Sequence, residues 1–396
     1  MRVAHLITRM IIGGAQENTL YNCEDLIRLY GDDVLLVTGP ALGPEGDLLE
    51  QGRGAGVPIR LVPSLRRAID PLRDVASYFA LKQLLRDFKP DVVHTHSAKA
   101  GFLGRLAAWS LGVPAIVHTI HGAPFHAHQN AASRTLFRTC ESYAARRCHV
   151  LISVADAMTD LMVNAGVAPR DKFTTIYSGM DVEPFLHAGQ HRERMRGELG
   201  YEPHHLVIGK IARLFHLKGH EDVIRAAANV VKANANVRFL FIGDGILRDK
   251  LQAQIDAAGL APHFQFAGLV PPARIPAFIG AMDVLVHASL REGLARALPQ
   301  ALIAGKPVVS YDVDGAREVA ISGETGFLVP PRWEALVKPL IELAADPDLR
   351  SRLGSTGRTR FAEQFRHEFM TRRVRELYQR LLTSRPPGLD SLSRSA

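Results

Sequence analysis

Cysteine is scarce in this 396-residue chain. There are three, Cys23, Cys140 and Cys148, an odd number without metal-ligand spacing. That excludes a disulfide scaffold and a zinc ribbon, and fits reduced thiols in a cytosolic protein. Long apolar runs are missing too. No stretch approaches the roughly 18 apolar residues of a membrane span. The opening Met1–Ile7 is too short for a signal-peptide core and reads as a first strand. Aromatics make up only 7% of the chain. They are not interleaved with the basic residues in any recognisable module, which removes nucleic acid as a partner. The phosphate loop with Gly-Lys-Ser/Thr after four spacers is absent. So is an acidic residue closing the second strand to hold an adenosine ribose, so a dinucleotide-dependent oxidoreductase is not expected.

Charge is present but uneven. The net formal charge is +8. Residues 1–185 are nearly balanced, with 19 Lys and Arg against 18 Asp and Glu. Within them, residues 60–105 carry nine against four, and residues 350–396 carry 11 against four. Such stretches either form a plain solubilising face or contact an anionic membrane surface.

Short β-branched runs alternate with longer amphipathic segments along the whole chain. Strands are predicted at Val3–Ile7, Val34–Val37, Asp91–His94, Ala115–Thr119, Val150–Ser153 and Thr174–Tyr177. Five more are predicted at Leu206–Ala212, Arg238–Ile242, Gln265–Gly268, Val284–His287 and Pro307–Ser310. Helices lie between them. One is Ile246–Ala258, with Leu247, Leu251 and Ile255 four apart and Gly259 as its stop. This alternation predicts α/β architecture with parallel sheets covered on both faces. The series breaks once, at the polar segment 186–205. Two Rossmann-like, doubly wound domains are therefore expected, at 1–185 and 206–365. A long Arg-rich helix at about 366–382 should pack back on the first domain, and the tail 384–396 should be disordered. The natural active site is the cleft between the domains, at the carboxyl ends of the strands.

Several loops could carry chemistry. In "VIGKIARLFHLKGHEDVIRAA" a strand ends at Ala212, Arg213 and Lys218 follow, and a helix opens near Glu221. Two cations beside a helix N-terminus suit a diphosphate. "FIGDGILRD" adds a glycine-lined loop at Gly243, and "GGAQE" places Gly13 and Gly14 after the first strand. His94, His96, His118, His121, His126 and His128 crowd a short span. No Asp, Glu or Cys accompanies them at ligand spacing, so they read as neutral imidazoles lining a polar cleft, with no metal. Asp312 and Asp314 in "YDVDG" read as a loop.

In order, "GGAQE", "DVVHTHSAKAGFLGRLAA", "HTIHG", "GKIARLFHLKGHEDVIRAA", "FIGDGILRDKL", "FAGLV", "LREGLARALPQALIAGKPVVSYDVDGAREVA" and "GETGFLVPP" run through the chain. This set resembles the retaining glycosyltransferases of family 4, which have the GT-B fold. The resemblance implies that Glu292 faces the donor sugar and that His121 lines the sugar pocket. Arg213 and Lys218 would clamp the donor diphosphate, with Gly13, Gly14 and Gly243 beside it. Where the family runs Glu-Gly-aromatic-Gly, this chain has Glu292-Gly293-Leu294-Ala295, whose Gly293 and Leu294 N–H groups remain able to donate. Gln300 stands where the family usually has a second Glu on the nucleotide ribose. An amide in place of a carboxylate costs about 1–2 kcal/mol of hydrogen bonding, partly offset by easier desolvation.

The implied activity is transfer of a sugar from a nucleotide-diphosphate donor, UDP or GDP, with anomeric retention. No cofactor is implied. The acceptor would be lipid-linked, a glycan or a small molecule, in cell-surface polysaccharide, lipopolysaccharide or glycolipid synthesis. The enzyme would be cytoplasmic, either free or peripheral at the inner face of the membrane. A GT-B sugar-nucleotide epimerase and a non-catalytic nucleotide-sugar-binding protein are the rival readings.

Overall fold

The computed structural model describes residues 1–42, 46–126 and 129–384. His128 and all of the expected disordered tail but Ser384 lie outside the described residues. The chain divides into two units: Met1–Met180 with the chain from Arg366 onward, and Asp181–Phe365.

The first unit is built on seven strands: β1 (Arg2–Arg9), β2 (Asp33–Gly39), β3 (Ile59–Leu61), β4 (Val92–His96), β5 (Ala115–Ile120), β6 (Val150–Ser153) and β7 (Phe173–Thr175). All pair in parallel, in the order β3-β2-β1-β4-β5-β6-β7. Strands buried on both faces explain their apolar runs, such as "LLVTG" in β2. The last helix, His367–Thr383, belongs to this unit and buries Met370, Val374, Leu377 and Tyr378 in its core. Polar ties fix it there. The buried Asp25 carboxylate accepts from the His367 ring at 2.7 Å and the Thr371 hydroxyl at 3.0 Å. The Asp32 carboxylate meets the N-terminal ammonium at 2.7 Å and the Arg375 guanidinium at 2.9 Å.

The second unit has six parallel strands: β8 (Leu206–Ile211), β9 (Val237–Ile242), β10 (Phe264–Gly268), β11 (Val284–His287), β12 (Val308–Tyr311) and β13 (Gly326–Val329). Their order is β10-β9-β8-β11-β12-β13. The direction of winding reverses between β8 and β11, as it does between β1 and β4 in the first unit. Loops after two such strands diverge and leave a crevice at their carboxyl ends.

The polar segment 186–205 differs from its reading as a bare joint. It runs through the helices Glu183–Leu186, Ala188–His191 and Arg192–Glu198, all within the second unit. Its charges are the reason. The Arg192 and Arg196 guanidinium groups reach Asp283 at 2.5 and 3.3 Å, and Asp283 also accepts from the Val207 N–H. Close packing adds to this: a Cβ on Gly280 would meet the Ala188 carbonyl oxygen at 2.1 Å. The second unit thus begins at Asp181, not Leu206.

Candidate active site

Four loops of the second unit leave the carboxyl ends of β8, β9, β11 and β12. The first carries Arg213 and Lys218 and ends in the helix His220–Ala233. The third carries Glu292. Their contact is backbone-driven. The Leu290 N–H donates to the Leu217 carbonyl at 2.8 Å. Gly219, with φ 67°, lies so close to the β11 end that a Cβ there would meet the Ala288 carbonyl oxygen at 1.8 Å. Only glycine allows that approach. Two non-glycine residues, Leu217 (φ 66°) and Asp314 (φ 49°), also sit in the left-handed region, a strain that collects at functional sites.

This framework brings the Lys218 ammonium to 2.5 Å from the Glu292 carboxylate. The two side chains remain 20% and 25% exposed, so the pair is enclosed but reachable. Burial, the largest single influence, pushes the Glu292 carboxyl up; the electrostatic pull of Lys218 and His287 and the hydrogen bonds from Lys218 and Ser289 together outweigh it and hold the group below its usual range. Asp314 accepts from the Glu292 N–H at 2.6 Å, and the Gly293 carbonyl accepts from the Gly315 N–H at 2.9 Å. Asp314, in the loop expected from "YDVDG", is therefore a structural brace of the Glu292 loop. The N–H groups of Gly293 and Leu294 make no hydrogen bond among the described residues.

Arg213 is exposed at the mouth of its loop, its guanidinium 5.0 Å from the centre of the Phe215 ring. The β9 loop packs against it: Leu214 N–H donates to the Asp244 carbonyl, and a Cβ on Gly243 (φ 131°) would meet the Ala212 carbonyl oxygen at 2.2 Å. The first-turn N–H groups of helix His220–Ala233 have no intrahelical acceptor. Its two first-turn acids are already engaged, Glu221 by Lys250 at 2.7 Å and Asp222 by the Tyr311 hydroxyl at 2.8 Å. Gln300 lies half-buried in the short helix Ala297–Ile303, among Leu298, Ala301 and Leu302, which are buried. Its side chain makes no hydrogen bond among the described residues.

Three side chains beneath this pair escaped the sequence reading. Lys210, at 0% exposure on β8, has no hydrogen-bond partner for its amine among the described residues. His220 and His287 are buried, with no hydrogen bond to either ring nitrogen among the described residues, though His287 Nε2 lies 3.8 Å from the Glu292 carboxylate. Burial, then the like charge of Lys218, lowers the Lys210 amine to about 7, against the pull of Glu292 and Asp222. Burial lowers His220 to about 2 and His287 to about 3, so both rings are neutral. A signal existed: a lysine interrupts the apolar run "LVIGKI".

In the first unit, Gly13 caps the helix Gly14–Tyr30 after β1, and Gly14 is its first residue. His121 is half-buried just past β5. The expectation that the histidines line a polar cleft fails for three of them. His94 and His96 are fully buried and His118 is 3% exposed, because both faces of β4 and β5 are covered. His5, missed in the sequence, joins them across the β1–β4 register. His5, His94 and His96 offer ring nitrogens within 4.8 Å of one another, the one such trio that could hold a metal among the described residues. Both nitrogens of His94 are already engaged, by the Tyr378 hydroxyl at 2.5 Å and the Thr119 hydroxyl at 2.6 Å. His126 is half-buried in the next loop.

Comparison with known proteins gives one picture. Residues 13–179 match the model of the glycosyl transferase 4-like domain, and residues 191–360 that of glycosyl transferases group 1. The UDP-Gal:alpha-D-GlcNAc-diphosphoundecaprenol alpha-1,3-galactosyltransferase of Escherichia coli is 28% identical over 332 residues, 83% of this chain and 84% of the relative. Alpha-monoglucosyldiacylglycerol synthase of Acholeplasma laidlawii is 25% identical over 84% of this chain and 85% of the relative. Among solved structures, Anabaena HepE in complex with UDP-glucose superposes with a TM-score of 0.80 at 21% identity, covering 96% of this chain and 100% of that one.

The buried lysine gives a pH test. A lysine with its folded-state pKa depressed favours the unfolded, protonated chain below the unfolded value. Its penalty is absent above pH ~10.4, grows as pH falls, and saturates near the folded value. Lys210→Met should therefore raise unfolding free energy at pH 7 by about 3–4 kcal/mol and narrow the gain as pH approaches 10. Denaturant titrations of both proteins across that range check this; equal pH slopes would show that Lys210 is charged in the fold.

Proposed function

We propose that this chain, which belongs to the glycosyltransferases of the GT-B type, transfers a sugar from a nucleoside-diphosphate donor with retention of anomeric configuration. The observation that carries the reading is the Lys218–Glu292 pair at the switch point of the second unit. Lys218, Arg213 and the N-terminus of helix His220–Ala233 neutralise the departing diphosphate, so no metal or cofactor is required in this scheme. Glu292, released in part as Lys218 turns to phosphate, orients sugar hydroxyls and stabilises the positive charge developing at the anomeric carbon. The open N–H groups of Gly293 and Leu294 donate to the donor. Gln300 holds the ribose, Gly243 borders the phosphates, and in the first unit Gly13 and Gly14 contribute backbone N–H groups and His121 a contact to the sugar. Retention follows if the leaving phosphate oxygen takes the acceptor proton on the face it vacates. Uridine is the favoured base, since the E. coli relative is named for UDP-Gal and the Anabaena structure holds UDP-glucose.

The favoured acceptor is lipid-linked, used from the cytoplasmic face of a membrane. No helix among the described residues is long and apolar enough to cross a membrane. Helix Pro71–Phe88 instead presents a surface stripe. Leu72, Val75 and Phe79 are exposed at 85%, 56% and 63%. Helical spacing continues the stripe into Lys82 and Arg86, while Arg66, Arg67, Arg73 and Lys89 flank it. Apolar tips ringed by cations fit an anionic bilayer surface.

Two outcomes are expected. Glu292→Gln should lower kcat by about 10²–10³-fold without weakening UDP binding, because the carboxylate acts on the sugar and its loss leaves Lys218 free for the phosphate. Steady-state kinetics with a UDP-sugar panel, with and without chelator, reads this out. A variant that loses UDP binding but turns over normally at saturation contradicts the role. Second, the protein should float with vesicles containing anionic lipid and release as salt rises, and Phe79→Glu should weaken flotation. Binding indifferent to lipid charge would leave a soluble acceptor.

A further inference from the structure

Three histidines of the first unit form a continuous hydrogen-bonded chain. His5 Nδ1 lies 3.1 Å from His96 Nε2, and His96 Nδ1 lies 3.1 Å from His121 Nε2. The rings of the first pair are stacked at 15° between planes and those of the second at 29°. Burial keeps all three neutral: it lowers His5 to about 3, His121 to about 4, and His96, with help from its neighbouring imidazoles, well below its usual value. A neutral imidazole has one N–H and one lone pair. Each link needs one of each. The chain therefore has two self-consistent states, with every N–H pointing toward His121 or every N–H pointing toward His5.

The buried end selects between them. His5 Nε2 is fully enclosed and has no partner among the described residues. An orphaned buried donor is the rarer and costlier fault, so that nitrogen carries the lone pair. His5 then donates from Nδ1 to His96 Nε2, and His96 donates from Nδ1 to His121 Nε2. His121 is left with its proton on Nδ1. We propose that His5 and His96 are positioning residues that lock His121 as an Nδ1–H donor, so that it hydrogen-bonds an oxygen of the donor sugar and cannot accept from a hydroxyl. The sugar contact rests on the function proposed above; the tautomer does not. The neighbouring imidazoles take no part. His94 is held by Tyr378 and Thr119, and His118 by the Thr95 hydroxyl at 2.9 Å.

Long-range 1H–15N correlation spectra of the histidine-labelled full chain at pH 7.5 test this, with His121 assigned by His121→Ala. The expected wild-type spectrum shows His121 protonated at Nδ1 with Nε2 bare. His96→Leu should let His121 populate both tautomers and reduce kcat/KM for the sugar donor about tenfold, one neutral hydrogen bond's worth. Because His96 acts through His121, the double variant should be no worse than His121→Ala. A wild-type His121 protonated at Nε2 overturns the proposal, and that spectrum needs no variant to fold. So does a His121 tautomer unchanged in a folded His96→Leu. An Nδ1–H signature together with full activity of His121→Ala overturns only the sugar contact and leaves the lock standing.

Discussion

A single ion pair organises the candidate site of the second unit. Lys218 and Glu292 come from loops after β8 and β11, 74 residues apart in sequence, and meet at 2.5 Å. Their meeting depends on Gly219, which alone can lie against the Ala288 carbonyl, and on the Leu290–Leu217 backbone bond. The surroundings sharpen the pair's charge. Beneath it lie two neutral imidazoles and an amine that burial holds near neutrality. Lys218 is thus the charged group best placed to meet an incoming anion, and Glu292 is the anion it already holds. A diphosphate arriving at Lys218 changes what Glu292 feels. In the proposed transfer, one exchange of partners would link neutralisation of the leaving group to the carboxylate assigned to the sugar.

The fold was largely legible because parallel strands buried on both faces leave unbroken apolar runs. β11 was expected at Val284–His287 and lies there. Helix Arg248–Ala257 falls inside the expected 246–258, where Leu251 and Ile255 face the core. Two strands were missed, β3 and β13. Each ends its sheet, where β3 ("IRL") breaks its short apolar run with an exposed arginine and β13 ("GFLV") shows only three apolar residues after a glycine. Segment 186–205 was misread because its helices are held by arginines on Asp283, and polar packing leaves no apolar stripe.

The candidate site could be read from the sequence only where loops carry charge. Arg213, Lys218 and Glu292 stand in loops between a strand and a helix, so chain position exposes them. Lys210, His220 and His287 contribute through burial, a property of the tertiary structure. His5 is similar: one imidazole in "RVAHLITR" acquires meaning from its register with His94 and its reach to His96. Both units use the same device, placing their polar side chains where the strand order turns.

The central claim is that Lys218 receives the donor diphosphate. Titration calorimetry of UDP into the wild-type chain and Lys218→Ala at low salt tests it most directly. Loss of one charge-assisted contact should weaken binding by about 10- to 100-fold, with the variant still folded at the titration temperature. Equal UDP affinity in the two proteins would contradict the account.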